Sequence, residues 1–156
     1  MKLQYTILLM LISDGVDENE YTFLREAFER EGAEVLTMSA LPYETIESVF
    51  CGQRGKDILV DLPLLKGYST DFSGVVIPDG PLSVQQLAED TMVREFIRWC
   101  HGAQKPIFAS GGAAVLLEDS ETPPIVQVDA GTSLQSFLLY ASDVLRGKTK
   151  LRPVLA

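Results

Sequence analysis

The stretch KPIFASGGAAVLL, residues 105–117, is the one from which the fold can be read. Residues 106–110 have the apolar character of a buried strand. Gly111-Gly112 makes a sharp turn, and a helix is expected to start at Ala113. A strand, tight turn and helix in this order is where many α/β enzymes hold their nucleophile. Here the turn consists of glycine, with Ser110 beside it.

Upstream, a helix is expected from Thr91 to about His101, with Met92, Val93, Phe96, Ile97 and Cys100 on its apolar face and Gly102 ending it. A buried strand over residues 71–78 precedes it, followed by the turn Pro78-Asp79-Gly80-Pro81 and a helix near residues 84–89. Residues 5–12, YTILLMLI, form a continuous apolar run suited to a central parallel strand covered on both faces. Ser13-Asp14-Gly15 ends that run. Asp17 is expected to cap the next helix, with Glu20 three residues on in capping-box spacing. Phe23, Leu24, Ala27 and Phe28 make the helix's apolar stripe, Arg25, Glu26, Glu29 and Arg30 face water, and Gly32 stops it. Residues 33–38 then give a second strand. The resulting βαβ unit implies a parallel sheet with a right-handed crossover.

Residues 41–65 are less regular, with short strands expected at 45–51 and 57–62, as an edge hairpin turned at residues 52–55. Downstream of the elbow come a polar loop (118–124), a short strand (125–128) and a last helix (132–147) capped by Thr132 and Gln135. The pattern is a single doubly wound α/β domain over residues 1–156. In such sheets ligands bind beyond the carboxyl ends of the strands. Three segments fall there: residues 14–20, 78–81 and 110–113.

Composition narrows the function classes. Thirteen basic against 22 acidic side chains leave a net charge of −9, with no basic stripe for phosphates, which argues against nucleic acid. No apolar run is long enough to span a bilayer and the N-terminus has no small-residue cleavage site, so a cytoplasmic protein is expected. The two cysteines, Cys51 and Cys100, are then expected as free thiols. One histidine and two cysteines cannot supply a His/Cys metal site, and no cofactor is expected. A carboxylate site from Asp14, Glu20 and Asp79 is the one metal arrangement left open.

The three segments together resemble the ThiJ/PfpI family of the class I glutamine amidotransferase-like superfamily. Asp14-Gly15-Val16-Asp17-Glu18-Asn19-Glu20 is similar to the family's Asp-Gly-Phe-Glu-Asp-x-Glu, whose last glutamate, here Glu20, supports the nucleophile. Pro78-Asp79-Gly80 stands where the family has Pro-Gly-Gly. Residues 105–114 align without a gap to Lys-Pro-Val-Ala-Ala-Ile-Cys-His-Gly-Pro of the family's Gly-Lys-Pro-Val-Ala-Ala-Ile-Cys-His-Gly-Pro, and Asp129-Ala130-Gly131-Thr132 is a faint echo of the late Asp-Gly-x-x-Thr segment. The resemblance implies a flavodoxin-like three-layer sandwich and, by analogy, a homodimer. It also shows departures. The nucleophile cysteine aligns with Gly111, the residue after it with Gly112, and an oxyanion-hole glycine with Asp79.

Glycine cannot be a nucleophile, and a carboxylate at residue 79 would sit where negative charge must develop. A non-catalytic protein is therefore expected, binding a small molecule or partner at the former pocket. The alternative is a hydrolase or lyase of the intracellular protease/amidase type, with Ser110 as nucleophile and Glu20 as acid/base. Ser110 could otherwise be a strand-end residue capping the next helix. Cys100-His101-Gly102 imitates the Cys-His-Gly signature, but it closes a helix instead of following a strand. Cys100 is then a core residue, and His101 sits where a helix C-terminus favours positive charge.

Overall fold

A computed structural model of the chain describes residues 3–40, 44–118, 126–127 and 134–147. The expected features at residues 119–125 and 128–133, including Thr132, lie outside them. The sheet begins with β1 (Ile7–Ile12), in which Leu8, Met10 and Ile12 enter one core and Leu9 and Leu11 the other. Successive strand side chains point to opposite faces, so an unbroken apolar run belongs between two packed layers. Each such side chain stabilises the fold by about 1.5–3 kcal/mol when fully buried.

Five further strands complete the main sheet: β3 (Glu34–Ser39), β6 (Leu62–Pro63), β7 (Gly74–Ile77), β8 (Ile107–Ala109) and β9 (Val126–Gln127). Their order is β6-β3-β1-β7-β8-β9, and all pairings are parallel. From β1 the chain moves outward to β3 and β6, then returns to lay β7 on the other side of β1. That reversal puts a topological switch point at the β1/β7 boundary. Helices α1 (Glu18–Arg30) and α5 (Leu134–Leu145) cover one face, joined by Ser142 Oγ donating to Glu31 Oε2 at 2.8 Å. The short α2 (Leu64–Gly67), α3 (Pro81–Glu89) and α4 (Thr91–Gly102) cover the other. The chain is thus the flavodoxin-like α/β sandwich expected.

Several local expectations need correction. The hairpin forms from β4 (Thr45–Phe50) and β5 (Gln53–Leu59), but it does not extend the main sheet. It joins a two-residue strand, β2 (Val16–Asp17), in a separate three-stranded sheet. Its turn is the two residues Cys51-Gly52, both at positive φ (49° and 78°), and Gly55 lies inside a strand. Two positive φ angles match the right-handed twist of flanking strands better than a longer glycine loop would. In α1 the buried stripe is Tyr21, Leu24, Ala27 and Phe28. Arg25 turns inward, donating to Tyr21 Oη at 2.7 Å and Thr37 Oγ1 at 2.9 Å.

Candidate functional site

The elbow sits at the carboxyl end of β8, beside the loop that leaves β7. Ser110 is the last extended residue (φ −92°, ψ 135°). Gly111 follows at φ +54°, and residues 111–117 wind as a 3₁₀ helix instead of the α-helix expected. Positive φ costs glycine nothing and other L-residues about 1–2 kcal/mol. Ser110 occupies the N-cap position, but its hydroxyl makes no cap hydrogen bond. It is buried, 5% exposed, and lies near enough to Glu20 to influence that carboxyl.

Glu20 reaches the elbow from the first turn of α1. The expected capping box is only half made: Asp17 Oδ1 accepts the Glu20 N–H at 3.0 Å, but the Glu20 carboxylate does not return to the cap. Instead Glu20 Oε1 accepts the Asp79 N–H at 3.1 Å, and the Asp17 N–H goes to the Asp79 carbonyl at 3.0 Å. Burial raises the pKa of Glu20 above its ordinary value. Hydrogen bonds from Ser110 and the Asp79 N–H oppose the rise, and the negative charges of Asp79 and Asp17 add to it.

Asp79 is the centre of the arrangement. Its Oδ1 accepts the Gly80 N–H at 2.7 Å and its Oδ2 the Gly112 N–H at 3.1 Å. One carboxylate thus bridges the loop after β7 and the loop after β8. A Cβ placed on Gly111 would lie 2.5 Å from Asp79 Oδ2, and one on Gly112 would lie 3.0 Å from Oδ1. The carboxylate fills the space into which a side chain at residue 111 would project. Gly80, at φ +144°, is wedged against the first loop, where a Cβ would meet the Gly15 carbonyl at 2.6 Å and Val16 Cα at 2.7 Å.

Six of the eight expected site residues therefore meet in one place: Glu20, Asp79, Gly80, Ser110, Gly111 and Gly112. Gly15 lies behind Gly80. Asp14 turns away, its Oδ1 accepting the Glu47 N–H at 2.9 Å, so Asp14, Glu20 and Asp79 do not assemble as a carboxylate metal site. Among the described residues no group of three or more His, Cys, Asp or Glu could hold a metal ion. Asp14 instead lines a cleft of about 550 Å³ at the carboxyl ends of β1 and β3, with Ser13, Ser39, Gln86, Asp90 and Thr91. Ser83 and Gln86 of α3 were not expected here. Ser83 Oγ accepts the Ser13 N–H at 2.9 Å, and Gln86 Oε1 accepts from Ser13 Oγ at 2.6 Å. Nothing local in the sequence marks these contacts, which span about seventy residues.

Cys100 is fully buried, and burial pushes its thiol up to about 12. It belongs to the core cluster of α4, at the other end of β8 from the elbow. The neighbouring His101 lies in the last turn of α4, as expected, and its burial lowers its pKa, opposing the positive charge that a helix C-terminus favours.

The fold is thus a parallel α/β sandwich with a strand–turn–helix elbow at the end of β8 and Glu20 of the first helix beside it. Residues 6–142 match the DJ-1/PfpI family, and the chain belongs to it. Its structure is similar to DJ-1beta of Drosophila melanogaster, at 18% identity and TM-score 0.75, over 92% of this chain and 91% of that one. It is also similar to oxidized DJ-1 of Toxoplasma gondii, at 16% identity and TM-score 0.73, over 92% of each chain. A third similar structure is a C103A mutant of a DJ-1 superfamily protein from Salmonella typhimurium, at 21% identity and TM-score 0.74, over 91% of each chain. No curated protein matches the sequence. Among the described residues no helix is long and apolar enough to cross a membrane.

Proposed function

We propose that this chain is a DJ-1/PfpI-family protein without the family's cysteine chemistry, a cytoplasmic homodimer that binds a small molecule or a partner at the former active-site pocket. The observation that supports this is the Asp79 carboxylate bridging Gly80 and Gly112 in the space beside Gly111. A nucleophile there would need both a side chain and a vacant pair of donors for the developing oxyanion. The elbow offers glycine and donors already taken by an anion. Losing one good donor costs about 3 kcal/mol of barrier, and a fixed negative charge in its place costs more. A ligand reaching this pocket meets a half-buried carboxylate and carboxyl, and so is recognised through its own hydrogen-bond donors.

The second reading, a Ser110 enzyme, is favoured by one juxtaposition: the Ser110 hydroxyl does not cap the helix and lies near enough to the Glu20 carboxyl to oppose the rise in its pKa. Serine needs an effective base, and Glu20, its pKa raised by burial, is the candidate. The two readings separate on treating the folded protein with a fluorophosphonate probe. No adduct is expected. A stoichiometric adduct mapped to Ser110 by mass spectrometry and lost in Glu20→Gln would establish the enzyme instead. Light scattering tests the dimer, for which a monomer mass over micromolar concentrations is the contrary result.

A further inference from the structure

Asp79 does more than interrupt a motif. Two backbone N–H groups from separate loops converge on its carboxylate, at 2.7 and 3.1 Å. Convergent N–H donors in turn conformations form anion-binding concavities. The outer donor belongs to Gly112, which is exposed, and Asp79 itself is only half buried. Water and small solutes can therefore reach the place the carboxylate holds. No lysine or arginine pairs with Asp79 among the described residues, so the two N–H groups, together with the Glu20 contact to its backbone, fix it there.

We propose that Asp79 is a built-in plug: a tethered carboxylate that occupies a preformed anion site at the elbow and bars free carboxylates and oxyanions from it. The proposal rests on the reading of the elbow as closed, but it does not depend on whether Ser110 reacts. Tethering explains how one weak anion holds the site against solution anions. Its effective concentration at the donors is in the millimolar range or above, and no translational freedom is lost on binding.

Removing the carboxylate while keeping Cβ, as in Asp79→Ala, should leave the Gly80 and Gly112 donors open to formate. Thermal unfolding in sodium formate is compared with sodium chloride at equal ionic strength. Formate is expected to raise the Tm of Asp79→Ala by about 2–4 °C at concentrations several-fold above its Kd, and to leave the wild type unmoved. Amide resonances of Gly80 and Gly112 should shift with formate in the variant alone. Equal response of wild type and variant, or response of neither, overturns the plug. If Asp79→Ala does not fold, recovery of its folded signal on adding formate reads the same rescue. Failure of formate to stabilise both it and Asp79→Ser then overturns the proposal. A serine adduct in the wild type would sink the non-catalytic reading and leave this result standing, so the two failures are distinguishable.

Discussion

At residue 20 the same side chain is asked to be a helix cap and a site carboxyl, and the geometry decides between them. Glu20 spends its oxygen on the Asp79 N–H at 3.1 Å and leaves the capping to Asp17. A carboxyl whose folded pKa is raised binds its proton more tightly in the folded than in the unfolded chain. Its contribution to stability is then greatest below the unfolded value, near 4.5, and is lost as pH rises through the folded value. Glu20→Gln keeps an oxygen for Asp79 and can donate to Ser110, but it does not titrate. Between pH 4.5 and 7 the Tm of Glu20→Gln relative to wild type should climb with pH, and a constant difference would show that Glu20 titrates normally. Residues 79 and 111 are coupled more directly. A Cβ on Gly111 meets Asp79 Oδ2 at 2.5 Å, so Gly111→Cys should cost about 2–4 kcal/mol in the wild type, from left-handed backbone strain plus collision. In Asp79→Gly the collision is gone and only the strain remains. Denaturant melts of the four proteins should give a coupling of about 1–2 kcal/mol, whereas additivity would place Asp79 away from the elbow apex.

Among the elements, what was legible in the sequence follows from how local the cause is. The apolar run of β1, the Asp17 cap and the glycine pair of the elbow act within a few residues, so each could be read directly. The hairpin's strands were readable too, but not their sheet. Pairing of β4 with β2 depends on Val16 and Asp17 turning aside after Gly15, which no periodicity records. The site divides the same way. Glu20, Asp79 and Ser110 came from an ordered set of motifs, but the carboxylate's choice of partners depends on two loops meeting across the sheet. Local and long-range glycines should also respond differently to substitution. Gly52, in the hairpin turn at φ +78°, has nothing within 4 Å of a Cβ, so Gly52→Ala should cost about 1–2 kcal/mol from backbone strain alone. Gly80 would drive a Cβ into the backbone of residues 15–17 at 2.6–2.8 Å, so that one of the two loops must shift. Gly80→Ala should therefore cost more than about 3 kcal/mol, as read from urea midpoints, and a smaller effect than Gly52→Ala would mean that the loops are not in contact.

Over the whole molecule, two apolar clusters sandwich one parallel sheet, and the sheet's central strands contribute to both. Opening either face therefore exposes strands that the other face also needs, which favours a single cooperative unit. The two cysteines offer a way to measure this. Cys51 is exposed at the hairpin turn, whereas Cys100 is fully buried against the sheet, with its thiol pushed up to about 12. The thiolate is the reactive form, so at neutral pH Cys100 is protected by burial and by protonation together. An aromatic disulfide reagent should titrate one thiol per folded chain and two in denaturant. In a Cys51→Ser variant the slow labelling of Cys100 then reports only openings that bring α4 off the sheet. If the sandwich is one unit, that labelling should accelerate with urea along the slope of global unfolding, because the same surface is exposed in both. A slope near zero would mean instead that α4 opens locally, as a separate leaf over an intact sheet. Should that happen, the helix would be free to move while β8 and the elbow it precedes stayed in place.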